Sequence, residues 1–212
     1  MEELTIDGIK LFTAAKIIAK AGAQIEGLTE VLEEKMINAL NDEKQKIRAQ
    51  YWDDDEEDSA GGWMIKSYLI DIARFKGKSQ KPYAHIAVQI ALYDENEAQI
   101  RGWEPSLYVM YESGEDGFGL GGFWLSKVLE ERCQLDGERL WRWQDEDETG
   151  WGFVLPLVKL NCEEDLVRQI VEPVKKLIAG NTPHDAFPSD SVAFRFAVGN
   201  DDKLSILIEN KP

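Results

Sequence analysis

Six consecutive carboxylates, Asp53, Asp54, Asp55, Glu56, Glu57 and Asp58, have the most evident chemical capacity in this chain. Carboxylate oxygens are hard ligands for Mg²⁺ or Ca²⁺ and strong acceptors for lysine and arginine. A dedicated cation site needs carboxylates converging from separate elements, whereas neighbours along an extended chain point apart. The run also lacks the glycine and terminal glutamate of an EF-hand loop. It therefore reads as a surface that attracts cations diffusely and could steer a basic protein partner. Ionised groups in a low-dielectric interior cost several kcal/mol each unless paired, so the run cannot be buried. With Ser59-Ala60-Gly61-Gly62 behind it, the expectation is an extended, hydrated, mobile surface segment.

Other chemistry is thinly supported. Gly117-Phe118-Gly119-Leu120-Gly121-Gly122 fits G-x-G-x-x-G and stands between a strand pattern and a short helix pattern. Five residues, three of them acidic, separate it from that strand, which spoils the tight turn and repels a pyrophosphate. It is expected to be a flexible glycine-rich surface loop. The acid-x-Lys spacing of metal-dependent nucleases occurs at Glu33/Lys35, Asp42/Lys44, Asp201/Lys203 and Glu209/Lys211, a frequency that composition alone produces. His85 and His184 have no partner at a spacing that would bind metal or activate a nucleophile. Cys162 precedes a helix, but Glu163, Glu164 and Asp165 oppose its thiolate, and an inert thiol is expected. The reading is of no cofactor and no metal.

Trp141 and Trp143 share one strand face, with Asp145 and Glu146 at the head of an acidic connection to Trp151. Aromatic rings beside carboxylates can clasp a cationic group, although tryptophans are more often core. These four join Asp53–Asp58 as the candidate partner-binding residues. A local cationic cluster, Lys66, Arg74, Lys76, Lys78 and Lys81 around Asp71, could touch phosphate or dock on the neighbouring acidic run. The second needs no additional partner.

The elements that position these residues follow from periodicity. Ile6, Ile9, Phe12, Ala14 and Ile17 form a helical stripe ending near Gly22, and Leu28, Val31, Leu32, Met36 and Leu40 form a second after Gly27. A helical hairpin over residues 1–50 is expected. From residue 63 the period becomes two. Strands are expected at Met64–Phe75, Tyr83–Tyr93 with one buried face, Leu107–Tyr111, Leu140–Trp143, Trp151–Leu160, Val192–Val198 and Leu204–Ile208. The last two are joined by the turn Gly199-Asn200-Asp201-Asp202 and should complete the core. Helices are expected at Trp124–Cys133 and near 163–179, where Pro173 must force a kink or a restart. The fold class is α+β, with a mainly antiparallel sheet of about five to seven strands over residues 63–212, joined to the hairpin by acidic segment 51–62.

Composition narrows the function classes. The 212-residue chain has a formal net charge of −16, is 43% hydrophobic, and carries seven Trp, six Tyr and eight Phe, which marks a globular protein. The charge disfavours nucleic acid and anionic lipid as partners. Two cysteines, no signal-like start and no apolar run long enough to span a bilayer point to a cytoplasmic protein. The function expected is a non-enzymatic, acidic protein-binding module acting on a basic protein, of an inhibitor, immunity or nucleic-acid-mimic type. The alternative is a metal-dependent hydrolase or nuclease using surface carboxylates.

Overall fold

A computed structural model describes residues 8–58, 65–92, 104–118, 133–144, 148–198 and 204–207. Helix α1 (Gly8–Leu40) leads into a seven-stranded antiparallel sheet: β1 (Ile47–Asp58), β2 (Ile65–Lys76), β3 (Ala84–Ala91), β4 (Ser106–Ser113), β5 (Gln134–Asp136), β6 (Leu140–Gln144) and β7 (Thr149–Pro156). The spatial order is β1-β2-β3-β4-β7-β6-β5. The α+β reading holds, with a strand count at the top of the expected range.

The first departure is at the N-terminus, where one continuous helix of 33 residues replaces the expected hairpin. Gly22 and Gly27 lie inside it, and a Cβ at either would meet open space. An exposed helical glycine costs about 1 kcal/mol, which weakens the helix without ending it. The two stripes have different fates. Leu32, Met36 and Leu40 are buried against the sheet, whereas Ile9, Phe12 and Ile17 are more than half exposed.

The second departure is the acidic run. It is neither a connecting segment nor unstructured: Asp53 to Asp58 pair with β2 from Asp71 to Ile65 as the outer half of β1. Carboxylates tolerate this strand because it is the sheet's edge, bonded to β2 alone, so Asp53 to Glu56 keep their side chains in water. Charged side chains on an edge are a common device against strand-to-strand aggregation.

Strand β3 also differs, since both of its faces are buried rather than one. Its even residues, Ile86, Val88 and Ile90, form the apolar layer under the helices. Its odd residues, His85 and Gln89, are buried on the opposite face. β5 escaped sequence reading because three residues are too few to show a period. β7 stops at Pro156, giving way to a 3-10 turn (Leu157–Lys159) where a continuous strand to Leu160 was expected.

The helix near 163–179 runs through residues 163–178 and is called α2 here. Glu163–Leu166 begins it, Val167–Val171 forms a π turn, and Glu172–Ile178 finishes it. The π turn is the local answer to Pro173: widening the turn ahead of the proline reroutes hydrogen bonds that its missing N–H would leave unmade. Helix α3 (Pro183–Ala186) follows, with Thr182 accepting a bond from the Asp185 N–H at its N-cap. The expected helix at Trp124–Cys133 lies outside the described residues up to 132.

β8 (Arg195–Val198) and β9 (Leu204–Leu207) form a hairpin of their own rather than extending the main sheet. Phe196, 2% exposed, anchors it edge-on against Trp141, with ring centroids 5.6 Å apart. The hairpin completes the core only in part: Phe196 is buried, whereas Val198 on the same face is 56% exposed.

Candidate functional site

The acidic edge is the largest uniform chemical feature among the described residues. Alternation places Asp54 and Glu56 on the sheet face that carries Ile70 and Tyr68, and Asp53 and Asp55 on the face that carries Asp71 and Leu69. Both faces at this edge are therefore negative. Asp53 and Asp55 also accept bonds from the backbone N–H groups of Asp54 and Glu56, at 2.9 and 3.0 Å. These bonds occupy edge donors that another strand would use, so recognition here falls to side chains rather than strand addition. The Tyr68 hydroxyl donates to Asp54 at 2.9 Å. Desolvation first and this carboxylate second push the Tyr68 hydroxyl pKa up to about 12, and the same two causes raise that of Tyr51. Asp54 is thus held in one position by phenols that stay protonated at neutral pH.

Two aromatics begin the acidic stretch. Tyr51 is 39% exposed and Trp52 42% exposed. The β1–β2 register shifts between Tyr51 and Asp53, making Trp52 the extra residue of a bulge. The bulge turns its ring onto Phe75 (5.9 Å) and edge-on to His85 (5.6 Å). That footing fixes an aromatic plate beside four exposed carboxylates.

Beneath Trp52 lies a buried histidine–aspartate pair that sequence reading missed. His85 and Asp71 are 0% and 1% exposed, with Nδ1 at 3.0 and 3.1 Å from the two carboxylate oxygens. Nε2 stands 3.3 Å from the Glu115 carbonyl, and the Phe118 N–H donates to Asp71 at 2.9 Å. Both ring nitrogens face oxygen atoms, one side-chain and one backbone. The pair appears in sequence only as one acid and one histidine fourteen residues apart, which carries no signal without the β2–β3 register.

Gly117 explains the first position of the glycine-rich motif. A Cβ there would lie 2.3 Å from the Asp71 carboxylate, so only glycine lets the loop close on this pair. At Gly117-Phe118 the segment is docked on the sheet rather than free, and Phe118 is buried. Gly119 to Gly122 lie outside the described residues.

The remaining candidates divide. Trp141 is fully buried and cannot belong to a recognition surface. Trp143 is half-buried, its ring lies over Gly150, and its indole N–H donates to Glu112. Burial raises the Glu112 pKa, with Glu148 adding to the shift and the Trp143 bond opposing it. Asp145 and Glu146 lie outside the described residues. The exposed aromatic patch is therefore Tyr51 and Trp52, not the tryptophans of β6.

The cationic cluster divides: Lys66 lies on β2 between the partners of Glu57 and Asp58, beside the acidic run, whereas Lys76, Lys81 and Arg74 lie away from it. Lys76 pairs in register with Ile47, at the end of β1 far from Glu56, which faces Tyr68. Lys81 instead bonds Glu115 at 2.6 Å, and Arg74 turns under the helices. Among the described residues, no group of three or more His, Cys, Asp or Glu side chains could hold a metal ion. No described helix is long and apolar enough to cross a membrane. Comparison of the chain with protein-family models, curated proteins and solved structures returns no match in any of the three.

Proposed function

We propose that this protein is a non-enzymatic binding module that engages a basic protein surface through the acidic edge of β1. The observation that carries this reading is the joint exposure of Asp53, Asp54, Asp55 and Glu56 beside Tyr51 and Trp52 on one edge strand. Carboxylates at fixed spacing steer a cationic partner and set its register. A half-exposed tryptophan gives an incoming arginine a face to stack on and an apolar anchor for the contact. The overall charge of −16 extends the attraction beyond the strand itself.

The test is capture of basic proteins from native lysate by the intact chain, by a variant with Asp53, Asp54 and Asp55 changed to Asn and Glu56 to Gln, and by Trp52→Ala. Screening over a Debye length of about 8 Å at physiological ionic strength should make capture fall steeply with salt. The neutralised variant should lose the basic proteins, while Trp52→Ala should weaken them with the salt dependence kept. If the neutralised variant retains the same proteins at the same salt, this reading fails.

A further inference from the structure

A cavity of about 930 Å³ opens on the other side of the molecule's chemistry, between the C-terminal ends of α1 and α2 and the helix-covered face of the sheet. Arg74, Tyr83, Tyr111, Trp151, Arg142 and Lys175 are among its lining residues. Three of these are cationic, in a chain that is otherwise strongly acidic.

Arg74 is the residue that needs explaining. It is 6% exposed, its Nε is buried without a hydrogen-bond partner, and among the described residues no carboxylate forms an ion pair with it. Its one ring contact is with Tyr83, whose centroid is 5.4 Å from the guanidinium carbon. A buried guanidinium normally sits against an acid, because an uncompensated charge at this depth is strongly destabilising. The other arginine in the cavity, Arg142, is more exposed and is already paired, bonding Asp136 at 2.5 Å. Asp42 also lines the cavity, but its carboxylate already accepts the Gln45 N–H at 3.0 Å. Lys175, at the last turn of α2, reaches Glu172 only at 4.0 Å.

Beside Arg74 the cavity wall carries a row of stacked aromatic rings. Tyr111 and Trp151 are cross-strand partners, with ring centroids 5.4 Å apart and planes within 13°. Trp151 continues the stack onto Phe153 at the same angle. Burial raises the pKa of both Tyr83 and Tyr111 while Arg74 opposes it, so both phenols remain hydrogen-bond donors at neutral pH. A fork of guanidinium N–H groups matches a carboxylate in two-point geometry, and the half-buried Tyr111 at the end of the stack offers an aromatic surface for a ligand's ring to pack on. The volume falls in the range of small-molecule sites, which are mostly apolar with a few placed polar groups.

We propose that this cavity binds a small planar aromatic carboxylate, with the carboxylate on Arg74 and the ring packed against Tyr111. The site is independent of the acidic edge, so neither proposal stands or falls with the other.

Titration calorimetry on the full chain tests it with 1-naphthoate, the neutral isostere 1-naphthalenemethanol, and inorganic phosphate as competitor. The naphthoate should bind about tenfold or more tightly than the alcohol, as one charge-assisted pair implies. Arg74→Met should abolish that difference, and Arg74→Lys should keep part of it. Phosphate should compete only weakly. Equal binding of acid and alcohol, or a folded Arg74→Met variant that still prefers the acid, would overturn the proposal. So would phosphate competing as strongly as the naphthoate. If Arg74→Met does not fold, the comparison of acid and alcohol on the unaltered chain decides.

Discussion

Replacing His85 by alanine is expected to lower the unfolding free energy by about 3–5 kcal/mol, and replacing Asp71 by alanine to lower it at least as much. His85→Ala leaves a fully buried carboxylate with the Phe118 N–H but without its imidazole partner. Asp71→Ala leaves a buried imidazole lacking its acceptor and also orphans that N–H, which closes the loop at Gly117. An unsatisfied buried donor adds about 1–3 kcal/mol to the loss. The double variant Asp71→Leu/His85→Leu should recover part of the stability, because it removes both polar partners together and leaves only the loop's Phe118 N–H and Glu115 carbonyl without them. Urea unfolding of the four proteins measures this directly. Losses below about 1 kcal/mol for both single variants would mean that the pair is hydrated and does not hold the loop.

A comparable effect is expected from one added methyl group. Gly152 and Gly150 on β7 pair with Trp141 and Trp143 on β6, and each indole lies flat across its glycine. A Cβ at Gly152 would sit 2.5 Å from the Trp141 ring, and the ring is fully buried with no room to withdraw. Gly152→Ala should therefore cost about 1–3 kcal/mol or more through overpacking. At about 2–4 °C per kcal/mol for a domain of this size, the melting temperature should fall visibly. At Gly150 the approach is closer still, at 2.0 Å. Trp143 is only half-buried and can swing toward solvent, so Gly150→Ala should be milder. Thermal melts that rank the two variants the other way would show that β6 shifts as a unit instead of resisting locally.

These two expectations mark where sequence reading stopped. Periodicity sufficed for most strands of the main sheet and for the α+β class, because alternation is a local consequence of backbone geometry. It also located the buried stripe Leu32, Met36 and Leu40. It failed at α1, where two exposed glycines looked like a break but only weakened a helix. It failed again at β1, where six carboxylates concealed a strand. Composition correctly kept those carboxylates in water, yet only pairing with β2 shows that an edge strand meets the same requirement.

What the chain determined by itself was therefore the alternation of its strands, the surface placement of Asp53 to Glu56 and the sign of its overall field. The tertiary structure decided which of its polar residues meet. Asp71 and His85 became a buried pair because the β2–β3 register places them side by side on one face. Arg74 was one of five cations in sequence, and became the one buried without an acid because its strand position points it under the helices. Trp141 changed from candidate surface to core, while Trp52, with no periodicity to mark it, was set at the acidic edge by a bulge. Each of these depends on register and on which elements cover which face, and both are fixed by contacts between residues distant in the chain.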